Sequence, residues 1–364
     1  MLTIKADVLQ NAIQTVGGAI NKNAVSEILS AVLVKFDNGM IFQATNMDLL
    51  ITTKAVDYTG SLDNFCIEFE AFSNAVKGYD ADDTLELSIA KSNELPILEI
   101  KKGRSSSKIQ LLDPENFPVP QTANTTHTVI FNKEDLRNAI NFTKPAIYPN
   151  ETRSNINGLH FNCKEGFIDV VATDGHRLGF FKVEDSEVNF ERKLTIPKRA
   201  ILELSKILAN ATTEIKMHIA PTLIRFEFNN TVFTTKLTDA EFPDYNRVIP
   251  TNNNISVKVN RNNLLKAVDR VNSVFANSNE LAVNFKATEN SIELNAESGK
   301  NERKEVLEAT SNDSFSIKIN GVYLKDAISV ITSKEVEFKF EAGKPLIIKN
   351  IEDERCFVII MPMK

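Results

Sequence analysis

Three cysteines in 364 residues, Cys66, Cys163 and Cys356, are too few and too far apart for a disulfide framework or a thiolate metal site. Their simplest role is that of small buried hydrophobes in a reducing cytoplasm. Histidine is scarce as well. His127, His160, His176 and His218 form neither an HxxxH nor an HExxH spacing, so zinc is not expected. No GxGxxG and no GxxxxGK[ST] occurs, which removes the standard nucleotide loops, and no cofactor is expected. No apolar run approaches the roughly 18 residues of a membrane span. The opening MLTIKADVLQNAIQ lacks the basic-then-apolar form of a signal peptide and reads as the start of the fold, so a cytoplasmic location is expected. The net charge of −6, taken alone, argues against wholesale nucleic-acid binding.

What the chain has is repetition. Its length implies two or three domains, and 42% hydrophobic with 25% charged residues suits ordinary globular cores. A strand-then-helix phrase occurs three times: TIKADVLQNAIQTVGGAI from Thr3, VIFNKEDLRNAINFTKPAI from Val129 and VKVNRNNLLKAVDRVNSVF from Val257. Aligning Ala6, Asn132 and Asn260 gives offsets of 126 and 128. A second phrase recurs as CIEFEAFSNAVKGY, LTIPKRAILELSKIL and FSIKINGVYLKDAISVI, with Glu70, Pro197 and Asn320 aligned. Pro197 suits a first helical turn, where its missing N–H costs nothing. DPENFPVP and DAEFPDYNRVIP mark where repeats end. Short alternating stretches such as TLELSIA, LIRFEF, TVFTTKL and VEFKFEA fill the space between and read as strands. The expectation is an α+β chain of three similar domains, 1–125, 126–250 and 251–364. Each has two helices and roughly eight strands, antiparallel because the connections are short.

One stretch, VATDGHRLGF at 171–180, crowds an acid, a histidine and a guanidinium together. It is open to four readings: catalytic cluster, metal site, turn or docking surface. ATDGHRLGFFKV from Ala172 aligns with ATNMDLLITTKA from Ala44 and, more loosely, with AESGKNERKEVL from Ala296. Ala-Thr and its flanking strands therefore belong to the scaffold, and Gly175-His176-Arg177 to the middle copy alone. Asp174-Gly175 is a good turn pair. A catalytic role for His176 needs a nucleophile that nothing supplies. Charge is also uneven: the six helical windows carry a net +7 and the rest of the chain −13. Six solvated amphipathic faces explain this as well as a surface turned toward a polyanion does.

The three two-helix repeats, TDGHR in the second, EFPDYNRVIP at its end and the terminus FVIIMPMK together resemble the bacterial sliding clamp family, the β subunits of DNA polymerase III. The resemblance covers the whole chain. It implies the DNA-clamp fold assembled as a head-to-tail dimeric ring of six domains, with helices lining a hole that takes duplex DNA. It implies no catalysis and no catalytic residues. The ring is a processivity factor for the replicative polymerase, and the clamp loader and repair proteins dock on it through short peptides. Carried over, the docking pocket comprises Ile156, Thr173, Gly175, His176, Arg177, Leu178, Pro243, Arg247, Val248, Ile359, Ile360, Met361, Pro362 and Met363, with Leu346 near its rim. Ile156, Leu178, Val248 and Ile359 make an apolar floor. Met361 and Met363 repack around partners, and Arg177 and Arg247 pair with polar or acidic peptide groups.

The DNA-facing set is Lys198, Arg199, Lys206, Lys266 and Arg270 on helices, with Lys22 and Arg153 in loops. Ser154 and Asn155 follow Arg153 where some relatives carry aromatics, so stacking is not expected there. Ring closure joins the first domain to the third of a second copy. Lys101, Lys102, Arg104, Lys108, Ile109 and Leu111 lie on one side, and Val274, Phe275, Glu302, Glu305 and Glu308 on the other. Two other classes stay open on residues alone: a hydrolase using Asp174 and His176, and a repeat scaffold that never touches DNA.

Overall fold

The computed structural model describes residues 1–21, 26–92, 94–118, 123–185, 187–251, 253–275 and 281–363. The first repeat runs β1 (Leu2–Lys5), α1 (Ala6–Gly17), β2 (Ala31–Phe36), β3 (Met40–Thr45), β4 (Leu49–Ala55), β5 (Tyr58–Gly60), β6 (Phe65–Glu68), α2 (Phe69–Val76), β7 (Thr84–Ser92), β8 (Leu95–Lys102) and β9 (Ser105–Leu112). The second runs β10 (His127–Phe131), α3 (Lys133–Thr143), β11 (Gly158–Lys164), β12 (Phe167–Thr173), β13 (Arg177–Glu184), β14 (Arg192–Pro197), α4 (Lys198–Leu208), β15 (Ile215–Ile219), β16 (Leu223–Phe228) and β17 (Thr231–Lys236). The third runs β18 (Ile255–Asn260), α5 (Arg261–Asn272), β19 (Ala282–Thr288), β20 (Ser291–Ser298), β21 (Asn301–Ser311), β22 (Phe315–Asn320), α6 (Gly321–Val330), β23 (Glu335–Phe340), β24 (Leu346–Asn350) and β25 (Cys356–Ile360). Two helices and eight or nine strands recur in each repeat, and the strand pairs are antiparallel.

The repeat is visible in what each first helix buries. Leu9, Ala12, Ile13 and Val16 of α1 match Leu136, Ala139, Ile140 and Thr143 of α3, and Leu264, Ala267, Val268 and Val271 of α5. The spacing i, i+3, i+4, i+7 is one helical stripe. The structural offsets are 127 and 128, so aligning Ala6 with Asn132 slips by one residue. The cause is local: Asn132 stands between β10 and α3, whereas β1 passes straight into α1. The second helices show a similar slip. α2 starts at Phe69 rather than near Glu70, because the Glu68 carboxylate accepts the N–H groups of Glu70 and Ala71. Asn320 caps α6 in the same way, accepting from Val322 and Tyr323. Pro197 closes β14, one residue before α4, rather than sitting inside the helix.

Chain contacts divide the protein into two compact units. The first comprises Met1–Lys133 and Leu202–Leu237, the second Glu134–Ile201 and Thr238–Lys364. The first holds a sheet in the order β10-β15-β16-β17-β4-β3-β2-β6-β9-β8-β7-β1-β5. There β17 pairs with β4, Phe233 opposite Ile51, so a second-repeat strand extends a first-repeat sheet. The second holds β14-β11-β12-β13-β25-β24-β23-β18-β21-β20-β19-β22. There β13 pairs with β25, Leu178 opposite Ile359. Each sheet runs on through a repeat junction, which is why contact density does not separate the repeats.

The three cysteines are buried and free, and burial pushes each thiol up to about 12. No group of three or more His, Cys, Asp or Glu side chains able to hold a metal occurs among the described residues. No helix among them is long and apolar enough to cross a membrane.

Candidate functional site

TDGHR is a turn first. Thr173 Oγ1 donates to the Arg177 carbonyl at 2.7 Å and accepts the Gly175 N–H at 3.1 Å. Asp174 Oδ1 accepts the His176 and Arg177 N–H groups at 2.9 and 3.0 Å. The first repeat builds the same turn from Thr45 and Asn46. Thr45 Oγ1 reaches the Leu49 carbonyl at 2.9 Å, and Asn46 Oδ1 accepts from Leu49 at 2.8 Å. Met47 there sits at φ 77°, and Gly175 takes the same left-handed place at φ 88°. Glycine does so without the strain of a Cβ. Asp174 is thus a turn residue, as its sequence suggested.

A catalytic dyad does not form. The second oxygen of Asp174 accepts from Arg177 Nε at 3.1 Å, and the His176 ring lies nearly parallel to Tyr323, 6.4 Å away. Arg177 is engaged inside the chain through Nε and Nη1. Its Nη1 donates to Asp326 Oδ2 at 2.5 Å, its guanidinium stacks 4.4 Å from the Tyr323 ring centre, and its side chain is 12% exposed. Two carboxylates and a ring hold Arg177 at the cavity wall, so any peptide group it meets joins bonds already made within the chain.

Beside this turn, within the second compact unit, lies a cavity of about 530 Å³. It is lined by Arg153, Asn155, Ile156, Thr173, Gly175, Arg177, Leu178, Pro243, Asp244, Tyr245, Val248, Ile359 and Met361. Beneath it Ile156, Val171, Leu178, Phe180, Phe242, Tyr245, Ile347 and Ile359 form one apolar cluster. His160 stacks on Phe242 at 4.4 Å within the same layer, and burial lowers its pKa to about 4. One side of the cavity is a strap running from Phe242 to Ile249. Its middle, Tyr245–Val248, is a 3-10 turn capped by Asp244, whose carboxylate accepts the Asn246 N–H. The other side is the chain terminus. Met361 N–H donates to the His176 carbonyl at 2.8 Å and Met363 N–H to the Lys318 carbonyl at 2.7 Å.

Nine of the residues expected in the pocket line it: Ile156, Thr173, Gly175, Arg177, Leu178, Pro243, Val248, Ile359 and Met361. Six do not. Leu346 and Ile360 pair with one another and are wholly buried. Strand alternation puts Ile360 on the sheet face opposite Ile359, so neither reaches the rim. His176 meets the site through its carbonyl. Arg247 is 83% exposed and pairs with Asp244 at 3.2 Å. Pro362 and Met363 lie on the surface beyond the lining. The lining also includes Asn155, Asp244 and Tyr245, none of which the sequence singled out as pocket residues. Arg153, assigned to DNA, is there too, with its guanidinium 5.4 Å from the Tyr148 ring centre.

Of the remaining DNA candidates, Lys22 lies outside the described residues. Lys198 Nζ donates to the Pro149 carbonyl, and Lys206 pairs with Glu203 at 2.8 Å. Arg199 and Lys206 stand seven residues apart on one exposed stripe of α4, with Leu202 between them. Lys266 and Arg270 share an exposed stripe of α5, four residues apart. Arg270 grips Glu305 through two bonds of 2.9 and 2.6 Å. Arg270 and Arg303 hold the Glu305 carboxyl at a pKa of about 2. Two residues the sequence assigned to different surfaces are therefore partners.

Among the interface candidates, Leu111 and Phe275 are buried in the chain's own cores, at 6% and 5% exposure, and Val274 is half-buried. The exposed candidates sit on two strand edges. Residues 105–110 of β9 pair only with β8, and residues 301–308 of β21 only with β20, among the described residues. Lys101, Lys102, Arg104 and Lys108 surround the first edge, with Ile109 half-buried beside them. Val306 stands 59% exposed on the second, among Glu302, Glu305 and Glu308.

Repeated two-helix modules and a cavity with an apolar floor are features of a docking protein of the clamp class. Solved structures carry the same fold. The sliding clamp from Pseudomonas aeruginosa bound to griselimycin superposes with a TM-score of 0.93 at 22% identity, covering 100% of this chain and 98% of that one. The griselimycin-bound clamp of Bartonella birtlesii gives 0.92 at 26%, covering 100% and 99%. The beta sliding clamp of Caulobacter vibrioides is 27% identical over 100% of this chain and 99% of its own length. Models of the DNA polymerase III beta subunit match along the chain: its N-terminal domain at 1–121, central domain at 130–244 and C-terminal domain at 246–364. The chain belongs to the DNA polymerase III beta subunit family. Its class is that of sliding clamps, which are processivity factors and not enzymes.

Proposed function

We propose that two copies of this chain close head to tail into a ring around duplex DNA and present one peptide socket per chain to the replicative polymerase, the clamp loader and repair proteins. The observation that carries this reading is the cavity of about 530 Å³ built by the TDGHR turn, the strap and the chain terminus. Its apolar floor and few polar rim groups suit a short peptide with one or two hydrophobic anchors. Arg153 is the cation at its edge that selects an acidic neighbour, with Arg177 beside it already paired within the chain.

Three domains, 1–125, 126–250 and 251–364, are the repeating units of this ring. Its closure is strand addition. The open edge of β9 in one copy pairs with the open edge of β21 in the next, the basic hairpin facing Glu302 and Glu308. Unpaired edges attract strands, and a first-to-third contact repeated twice closes. Lys198, Arg199, Lys206 and Lys266 hold duplex phosphates without reading sequence, and Arg270, paired with Glu305 within the chain, adds its charge beside Lys266. The protein acts in the cytoplasm, where its polymerase works.

The reading is tested with a fluorescein-labelled peptide carrying the last residues of the cognate polymerase. Anisotropy is expected to saturate at one peptide per chain, with excess unlabelled peptide displacing it. Linear, non-saturating signal, or labelled peptide that the unlabelled excess leaves in place, contradicts the socket.

A further inference from the structure

The strap is a partition with space on both sides. Pro243, Asp244, Tyr245 and Val248 line the docking cavity. Asn246 and Ile249 border a second cavity of about 500 Å³, floored by Phe167, Phe180 and Phe357. The Tyr245 ring packs 6.2 Å from Phe180 and 6.3 Å from His160, and Ile249 and Phe357 pack against the same apolar cluster. The strap is also fixed by polar bonds. Tyr245 is 5% exposed, and its hydroxyl donates to Asp169 Oδ2 at 2.7 Å while accepting from Asn162 Nδ2 at 2.8 Å. Lys164 Nζ reaches the same Asp169 oxygen at 2.9 Å. Asp169 and Asn162 are themselves buried, opposite one another on β12 and β11.

A buried carboxylate is costly unless it is paired and hydrogen-bonded. Asp169 meets that cost with Oδ2 alone, since its Oδ1 is buried with no hydrogen-bond partner among the described residues. Its two donors are the tyrosine that walls the docking cavity and the lysine that compensates its charge. None of Asn162, Lys164 and Asp169 lines the docking cavity.

From this geometry we propose that Asp169 is a positioning residue of the docking socket: through the Tyr245 hydroxyl it holds the strap at the spacing a peptide needs, without touching the peptide. The proposal rests on the docking reading above. It makes peptide affinity sensitive to a hydrogen bond on the far side of the wall. Without that bond the strap is free to relax into the second cavity, and the socket loses its fixed width.

The test is a double-mutant cycle in the full chain, read by anisotropy of the same polymerase-tail peptide alongside thermal unfolding. Tyr245→Phe keeps the ring and removes the anchor, and is expected to raise Kd about five- to tenfold. Asp169→Ala is expected to do the same. Asp169→Asn keeps an acceptor for the hydroxyl and is expected to stay within about twofold of wild type. Because both residues act through one bond, Tyr245→Phe with Asp169→Ala is expected to be no weaker than the worse single variant. Unchanged Kd with a lowered Tm makes the network merely structural and overturns the proposal. So do fully additive losses. A wild-type chain that captures no peptide overturns the docking reading and this inference together; wild-type capture with Tyr245→Phe equally tight overturns only this one.

Discussion

A chain ending at Ile360 is expected to bind the polymerase-tail peptide about three- to sevenfold more weakly than the full chain, with its thermal unfolding little changed. The magnitude follows from one thioether wall. Met361 lines the cavity and is 39% exposed in the free protein, so a peptide covers it. Fully burying a methionine contributes about 1.5–3 kcal/mol, so covering the exposed two-fifths contributes about 0.6–1.2 kcal/mol, and each 1.4 kcal/mol is about tenfold in Kd. The cut belongs after Ile360 for a structural reason. Ile359 and Ile360 pair with Leu178 and Arg177 on one side and with Ile347 and Leu346 on the other. Removing them strips a central strand and confuses unfolding with lost docking. The tail beyond lies on the surface, tied by the Met361 and Met363 backbone bonds to His176 and Lys318. Unchanged anisotropy in the truncated chain contradicts the placement of the socket.

The second large effect is expected at the proposed ring interface. Val306→Asp is expected to raise the dimer dissociation constant at least about tenfold, because a carboxylate must then be desolvated at the centre of a strand-to-strand contact. Val306 is 59% exposed on an edge strand of the single chain, so the protomer itself keeps its fold. Sedimentation velocity at micromolar protein separates dimer from monomer. A dimer that survives the substitution moves the interface away from β21. Glu305 is the poorer target, since Arg270 and Arg303 already hold it within the chain.

The repeat was legible in the sequence because burial recurs: the same i, i+3, i+4, i+7 stripe sits in α1, α3 and α5. Its register slipped where one junction residue, Asn132, lengthens a strand-to-helix turn, and no periodicity signals that. The turn at Asp174 was legible too, because Asp-Gly carries its own local chemistry. Long-range pairing was not. That β17 extends the first repeat's sheet and β25 joins β13 depends on edges more than a hundred residues apart. Alternation along CFVII was enough to place Ile360 on the face opposite Ile359, but excluding Leu346 from the rim needed its pairing with Ile360.

Charge partners were the least legible feature. Arg177, Arg270 and Glu305 look like available surface charges in sequence, yet each is engaged by a residue distant in the chain. Tyr245 was overlooked for the same reason. Its hydroxyl has meaning only beside Asp169, 76 positions earlier. Arg153 reads as a loop cation near DNA, and only the folded chain brings it to the mouth of the cavity.

Topology is the centre of the account, and retention on closed DNA measures it. Protein loaded by its clamp loader onto a nicked circular duplex is expected to stay bound through a high-salt wash and to leave when a single cut linearises the circle. Loss from both forms at the same rate, with a steep dependence on salt, contradicts a ring and reduces the protein to a surface that phosphates attract.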